Sequence, residues 1–199
     1  MSEEIKDHAD IFAEVFTDLK LHGQKIKYAE FEECTFNSCD FSQTTFLACR
    51  FIDCHFHNCN LSVVKLTDTK LGNVEFILSK LIGIDWTMCD WKSLLGDKRL
   101  SFYESILDGS NFYGLNIDRI ILKESQVKDV DFRECSMKNG HFNGSDFHRS
   151  VFENTHLEYS NFTDAKNISM SICSNYFKET TMAHFEALNL LESQGIILN

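Results

Sequence analysis

The run Cys54-His55-Phe56-His57-Asn58-Cys59 gathers, within six residues, the nitrogen and sulfur donors that bind zinc. With eight cysteines in the chain, a metal centre or a set of disulfides is the first chemistry to weigh. Carboxylates recur at Asp40, Asp85, Asp90, Asp131 and Asp146, and two of them in one pocket could act as general acid and base. The sequence contains no P-loop, glycine-rich dinucleotide fingerprint, G-x-S-x-G elbow or His-Glu-x-x-His pattern. Whether the cysteines, histidines and carboxylates do chemistry therefore depends on how the chain positions them.

From Phe31 to Trp91 every fifth residue is large and apolar: Phe31, Phe36, Phe41, Phe46, Phe51, Phe56, Leu61, Leu66, Leu71, Phe76, Leu81, Trp86 and Trp91. The phase slips by one residue, resumes at Phe102 and runs to Phe162; Asn167 then interrupts it before Ile172 and Phe177. Helix faces repeat at about 3.6 residues and strand faces at about 2, so a beat of five describes short extended pieces, each followed by a corner. Two positions before the large residue sits a small or β-branched one, as at Cys34, Cys39, Thr44, Cys49, Cys54, Cys59, Ser125 and Cys135. Residues two apart on a strand share a face, so each unit points one small and one large side chain inward and turns three residues out.

That alternation weighs against zinc. Cys54 and Cys59 are inward, whereas His55 and His57 flank Phe56 on the outward side, so the donors point to opposite sides of one wall. Seven of the eight cysteines occupy the small inward position, where a compact, weakly polar group packs well. The recurrent carboxylates are outward and suit a polar wall with hydrogen-bonded corners. No catalytic residue, metal or cofactor is expected, and a convex wall offers no pocket for a catalytic pair.

Units such as Cys39-Asp40-Phe41-Ser42-Gln43, Cys59-Asn60-Leu61-Ser62-Val63, Ser145-Asp146-Phe147-His148-Arg149 and Ser160-Asn161-Phe162-Thr163-Asp164 resemble the A(D/N)LXX consensus of the pentapeptide-repeat family. The resemblance covers residues 14 to 177 and implies an all-β solenoid, a right-handed quadrilateral parallel β-helix with four units per turn and about seven turns. Residues twenty apart within one phase then stack, as Phe36, Phe56 and Phe76 would. Parallel turns pair at about 4.8 Å, giving a rod roughly 30 to 35 Å long. Stacking also brings Cys34 near Cys54 and Cys39 near Cys59, within disulfide range, although a reducing compartment keeps such pairs as thiols. The lack of proline fits continuous inter-turn pairing.

Three places depart from the beat. Residues 1–13, with Ile5, Ala9 and Phe12 on one helical face, read as a short helix or an unstructured lead. The break at 92–101 holds Lys92, Ser93, Leu94, Leu95, Gly96, Asp97, Lys98 and Arg99, the candidate partner-binding loop, with a plain corner bulge as the alternative. Residues 178–199 switch to Met182, Phe185, Leu188 and Leu191, an amphipathic helix from Thr181 to Glu192 stopped by Gly195. With the apolar tail Ile196, Ile197 and Leu198 it either caps its own coil or joins a second copy, and the family resemblance implies a homodimer through this end. Val63, Ile77, Leu78, Ile82 and Met88 form an outward apolar patch, to be covered by the N-terminal segment or to serve as an interface.

The chain has 199 residues, 43% apolar, and a formal charge of −11, which disfavours nucleic acid as a direct ligand. Residues 1–33 hold −5 and residues 178–199 hold −2, leaving −4 for the rest. No apolar run reaches membrane-spanning length, and the acidic Met1-Ser2-Glu3-Glu4 is unlike a signal peptide, so a cytoplasmic protein is expected. Some pentapeptide-repeat proteins, those of quinolone resistance and microcin immunity, bind type II topoisomerases as acidic rods of duplex dimensions. The resemblance thus implies a non-catalytic, DNA-mimicking partner of DNA gyrase or topoisomerase IV. The alternative is an adaptor holding another protein through the 92–99 loop or the apolar patch.

Overall fold

The computed structural model describes residues 5–92 and 98–197. The chain winds as a right-handed quadrilateral parallel β-solenoid of about eight turns, closed at one end by a single helix. Each face is a stack of three-residue rungs related by twenty residues. The first face pairs Asp10–Phe12, Glu30–Glu32, Arg50–Ile52 and Lys70–Gly72 in that order. The second runs from Val15–Thr17 through Thr35–Asn37, His55–His57 and Val74–Ile77 to Leu100–Tyr103 and Ile121–Lys123. The third is held by single bridges such as Lys20↔Asp40 and Asp40↔Asn60, and the fourth begins with Lys25–Lys27, Thr45–Leu47 and Lys65–Thr67.

The five-residue beat makes this wall because each unit ends on a residue in the left-handed region. Gln43 (φ 56°), Asn58 (φ 55°) and Asp129 (φ 55°) turn successive corners, and Asn and Asp tolerate that conformation best among residues with a side chain. Val63, β-branched and at φ 57°, is the least suited to its corner.

The bore is filled by stacked rings. Phe16, Phe36, Phe56, Phe76 and Phe102 form one column with centroid spacings of 5.1, 4.7, 5.0 and 5.2 Å, and Trp86, Phe112, Phe132 and Phe152 form another at 5.4, 5.3 and 5.2 Å. Parallel rungs at one spacing set these distances, which fall within the favourable range for aromatic pairs.

The small inward residue does more than pack. Ser125 Oγ accepts from Ser105 N at 3.2 Å and donates to Lys123 O at 3.0 Å, and the same relay links Cys39, Cys59, Ser79, Ser105, Ser125 and Ser145 down one corner. At this position the backbone N–H lies outside the ladder, and the hydroxyl or thiol of the next turn satisfies it. Cys54 Sγ donates to Phe31 O at 3.4 Å and Cys135 Sγ to Phe112 O.

Three expectations are corrected. The coil begins within the expected lead: Ile5 is buried and Asp10–Phe12 is a strand paired with Glu30–Glu32, so residues 5–13 form neither a helix nor a loose segment, and about eight turns replace about seven. Of the apolar side chains assigned to a helical face there, Ile5 and Ala9 pack on the first turn, together with Ile11, whereas Phe12 is exposed. Near the other end, Ile168 and Met170 are buried while Ile172 is exposed, because Asn167 takes a left-handed φ of 56° and shifts the inward positions. The terminal helix spans His184–Ser193, after a short strand at Thr181–Met182 that continues the second face, and it is closed by Gln194 and by Gly195 at φ 83°. Its packing face centres on Leu190; Phe185, expected on the apolar stripe, points away with 70% of its surface exposed.

Candidate interaction surface

At the break in the beat the register between turns lengthens from twenty to twenty-six residues: Phe76 pairs with Phe102, Lys80 with Ile106 and Asp85 with Asn111. The second and third faces keep their ladder through the insertion, and the fourth keeps its Asp85↔Asn111 rung across it but lacks the rung one turn below; the first face loses its rung at the insertion. Among the described residues no bridge joins Lys65 to Asp85 on the fourth face, where Trp86–Met88 forms one turn of 3-10 helix under an Asp85 cap. Nor does any bridge or hydrogen bond join Asp90–Lys92 to Asn116–Asp118 on the first face.

The second gap opens as a notch of about 850 Å³, lined by Asp68, Cys89, Asp90, Trp91, Lys92 and Lys98 on one side and residues 114–119 on the other. Among the described residues between Ile26 and Ala165, the inward positions are buried except Trp91 and Leu115, both on this notch. The Trp91 indole N–H donates to Trp86 O at 2.8 Å, which fixes its ring, while the indole N–H of Trp86 is buried without a partner. Asp118 is held by Ser136 Oγ and Lys138 N at 2.6 and 2.9 Å.

Of the candidate loop, Lys92 is exposed, and Lys98 and Arg99 are half-buried. Lys98 Nζ donates to Trp91 O, and Arg99 bonds Asn73 Oδ1 at 2.9 Å, so both are braces across the break. Ser93, Leu94, Leu95, Gly96 and Asp97 lie outside the described residues. The opposite wall, residues 114–119, carried no signal of its own. Only the register of the insertion places Leu115 and Asn116 beside Trp91.

Val63, Leu78, Ile82 and Met88 are exposed and Ile77 half-buried, and the N-terminal segment, wound into the first turn, does not reach them. Val63 and Met88 border a hollow of about 310 Å³ over the gap in the fourth face. At the far end, Met182, Leu188 and Leu191 are half-buried, while Phe185, Ile196 and Ile197 are exposed; Leu198 is outside the described residues. A hollow of about 330 Å³ runs beside the helix between Ile172, Phe177 and Leu191.

No cluster of His, Cys, Asp and Glu able to hold a metal occurs among the described residues, and all eight cysteines are free, with Cys173 alone exposed. Burial pushes the thiols of Cys54 and Cys135 up to about 12, and burial also raises Cys89. The carboxylates are spent on neighbours: Arg149 pairs with Asp129 at 2.6 Å, Arg133 with Asp131 at 2.7 Å and Lys138 with Glu158 at 3.1 Å. Those guanidinium contacts hold Asp129 and Asp131 below the ordinary carboxylate range. On the third face the column of Lys20, Asp40, Asn60 and Lys80 holds a single acid, Asp40. The negative charge is therefore scattered, not gathered into one stripe. No helix among the described residues is long and apolar enough to cross a membrane.

The sequence matches the model of the pentapeptide repeat region over residues 29–95 and 98–162. Among solved structures, a trypsin-treated form of QnrB1, a plasmid-mediated fluoroquinolone resistance protein, is similar over 96% of this chain and 100% of its own, at 17% identity and a TM-score of 0.62. HetL, a pentapeptide repeat protein involved in heterocyst differentiation regulation from the cyanobacterium Nostoc sp. strain PCC 7120, is similar over 88% of this chain and 85% of its own, at 14% identity and a TM-score of 0.53. No curated protein matches the sequence.

Proposed function

This chain belongs to the pentapeptide-repeat family, and on that premise we propose that it is a non-catalytic, protein-binding rod whose target is a type II topoisomerase, DNA gyrase or topoisomerase IV. The observation that carries the binding reading is the distribution of unused groups. Most inward side chains fill the bore or satisfy its backbone, while the notch, the apolar patch and the helical end each hold several groups open to another molecule. The net charge of −11 supports a basic surface on the partner, and the end-to-end likeness to a fluoroquinolone resistance protein supports the choice of target. A charge divided among ion pairs is a weaker imitation of DNA than a continuous acidic stripe, so contact through the notch carries more of this reading than mimicry along the rod.

A supercoiling assay tests it directly. Purified protein at up to tens of micromolar should change gyrase activity or shift its sensitivity to a quinolone; an unchanged assay in both arms removes the topoisomerase. The adaptor reading then takes its place, favoured by the exposure of Val63, Ile82 and Met88. A homodimer through the C-terminus belongs to the same proposal, supported by bare Phe185, Ile196 and Ile197 at that end. Light scattering should give twice the chain mass for the wild type and the single mass for Phe185→Glu combined with Ile197→Glu.

A further inference from the structure

The notch is a gap of defined kind. Where Asp90 and Asn116 should pair, Asn116 keeps a backbone N–H and C=O with no partner, although its next rung, Asn116↔Ser136, is in place. The floor beneath is apolar and reachable: among the described residues Trp91 and Leu115 are the two core positions of the regular coil that are not sealed. Among the described residues its rim carries Asp68 and Lys92, whose side chains have neither a hydrogen bond nor an ion pair, whereas Asp118 and Lys98 are held by hydrogen bonds. An unpaired parallel edge above an apolar floor, in a wall whose other rungs alternate inward and outward, is complementary to one further rung of the same kind.

We infer that the notch is a peptide-binding slot, taking an extended segment of a partner protein that pairs with Asn116 and lays one large apolar side chain on Trp91 and Leu115. Backbone pairing supplies the alignment and the apolar floor the selectivity, the division of labour found wherever a strand is added to an open edge. Polar residues on either side of the buried one fit the rim, a base toward Asp68 and an acid toward Lys92. The inference rests on the protein-binding reading but not on a topoisomerase being the partner.

A random dodecapeptide phage library panned on the whole protein tests it. The enriched peptides should share one large apolar residue flanked by polar ones, and a synthetic copy should blue-shift the emission of Trp91, read as the signal lost in Trp91→Phe. N-methylation of the peptide at alternate residues should weaken binding at least tenfold in one register and leave the other unchanged. Leu115→Glu should weaken binding by a similar factor; Asn58→Asp, at an exposed corner outside every proposed surface, keeps wild-type affinity, and thermal melts of both variants separate a lost site from a lost fold. The slot is overturned by no enrichment over Leu115→Glu protein, or by equal tolerance of N-methylation in both registers. Enriched peptides with an unchanged supercoiling assay keep the slot and remove the topoisomerase, whereas the reverse result removes the slot alone.

Discussion

A cysteine at the small inward position is a hydrogen-bonding residue before it is a nucleophile. Its thiol stands where serine or threonine stands in other units and faces the carbonyl of the preceding turn, as Cys54 faces Phe31 and Ser125 faces Phe102. Burial disfavours the thiolate, so Cys54 and Cys135, raised to about 12, stay protonated at pH 8 and do not attack. Ellman's reagent should therefore titrate Cys173 alone of the eight in the native protein and all eight in denaturant; more than one fast native thiol would contradict the placement. The relay also predicts unequal tolerance. Ser125→Ala removes the acceptor for Ser105 N, leaving a buried donor unpaired at a cost of about 1–3 kcal/mol, while Ser125→Cys, the exchange the chain itself makes at Cys39 and Cys59, should cost less than half of that. Denaturant midpoints of the two variants compare them, and equal losses would mean that volume alone decides this position.

Each unit is an element too short to stand alone, and its identity lies in which way two of its five residues point. Phe56 stacks between Phe36 and Phe76, so Phe56→Asp places an unpaired charge in the bore and should cost several kcal/mol or abolish folding. Asn58→Asp, two residues on, is exposed at a corner with φ 55° that aspartate also tolerates, and its melting temperature should stay within a degree or two of wild type. Equal damage from both would reverse the facing of the wall. That facing was legible in the sequence because a strict beat leaves one assignment, with Cys54 and Cys59 buried and His55 and His57 exposed. Elements whose context lies elsewhere in the chain were not legible. Residues 5–13 look helical in isolation and become strand because Glu30–Glu32 offers an edge. Phe185 matches the apolar spacing but the last turn receives Leu190 instead. The notch was half visible, as a slip of phase at Lys92, while Leu115 and Asn116 are ordinary in sequence and gain their position from a twenty-six-residue register that local pattern does not specify.

On the scale of the whole rod, the insertion divides one ladder into two. Stability in a solenoid is close to a sum of terms between neighbouring turns, so turns that lack a rung, on the fourth face at Lys65 and Asp85 and on the first at Asp90 and Asn116, couple less strongly than the rest. Across the insertion the second, third and fourth faces stay joined, with Phe76 against Phe102 at 5.2 Å and Trp86 against Phe112 at 5.4 Å, while the first face is open. The halves below Lys80 and above Leu100 should then behave as two cooperative units sharing a weakened interface. Native-state hydrogen exchange can separate them after a lesion in one half. Phe36→Ala, worth about 3–5 kcal/mol in a packed core, should lower protection at Phe41 N, bonded to Asn60 O at 2.7 Å, by most of that amount. Protection at Phe147 N, bonded to Lys166 O at 3.0 Å, should fall by much less, because the upper turns can persist when the lower ones open. Asn116 N, at the notch, should exchange as fast as an open amide in both proteins until a peptide fills the gap. An equal loss of protection at Phe41 and Phe147 would show a single cooperative rod, in which the missing rungs weaken nothing, and it would leave bending or separation of the halves without a physical basis.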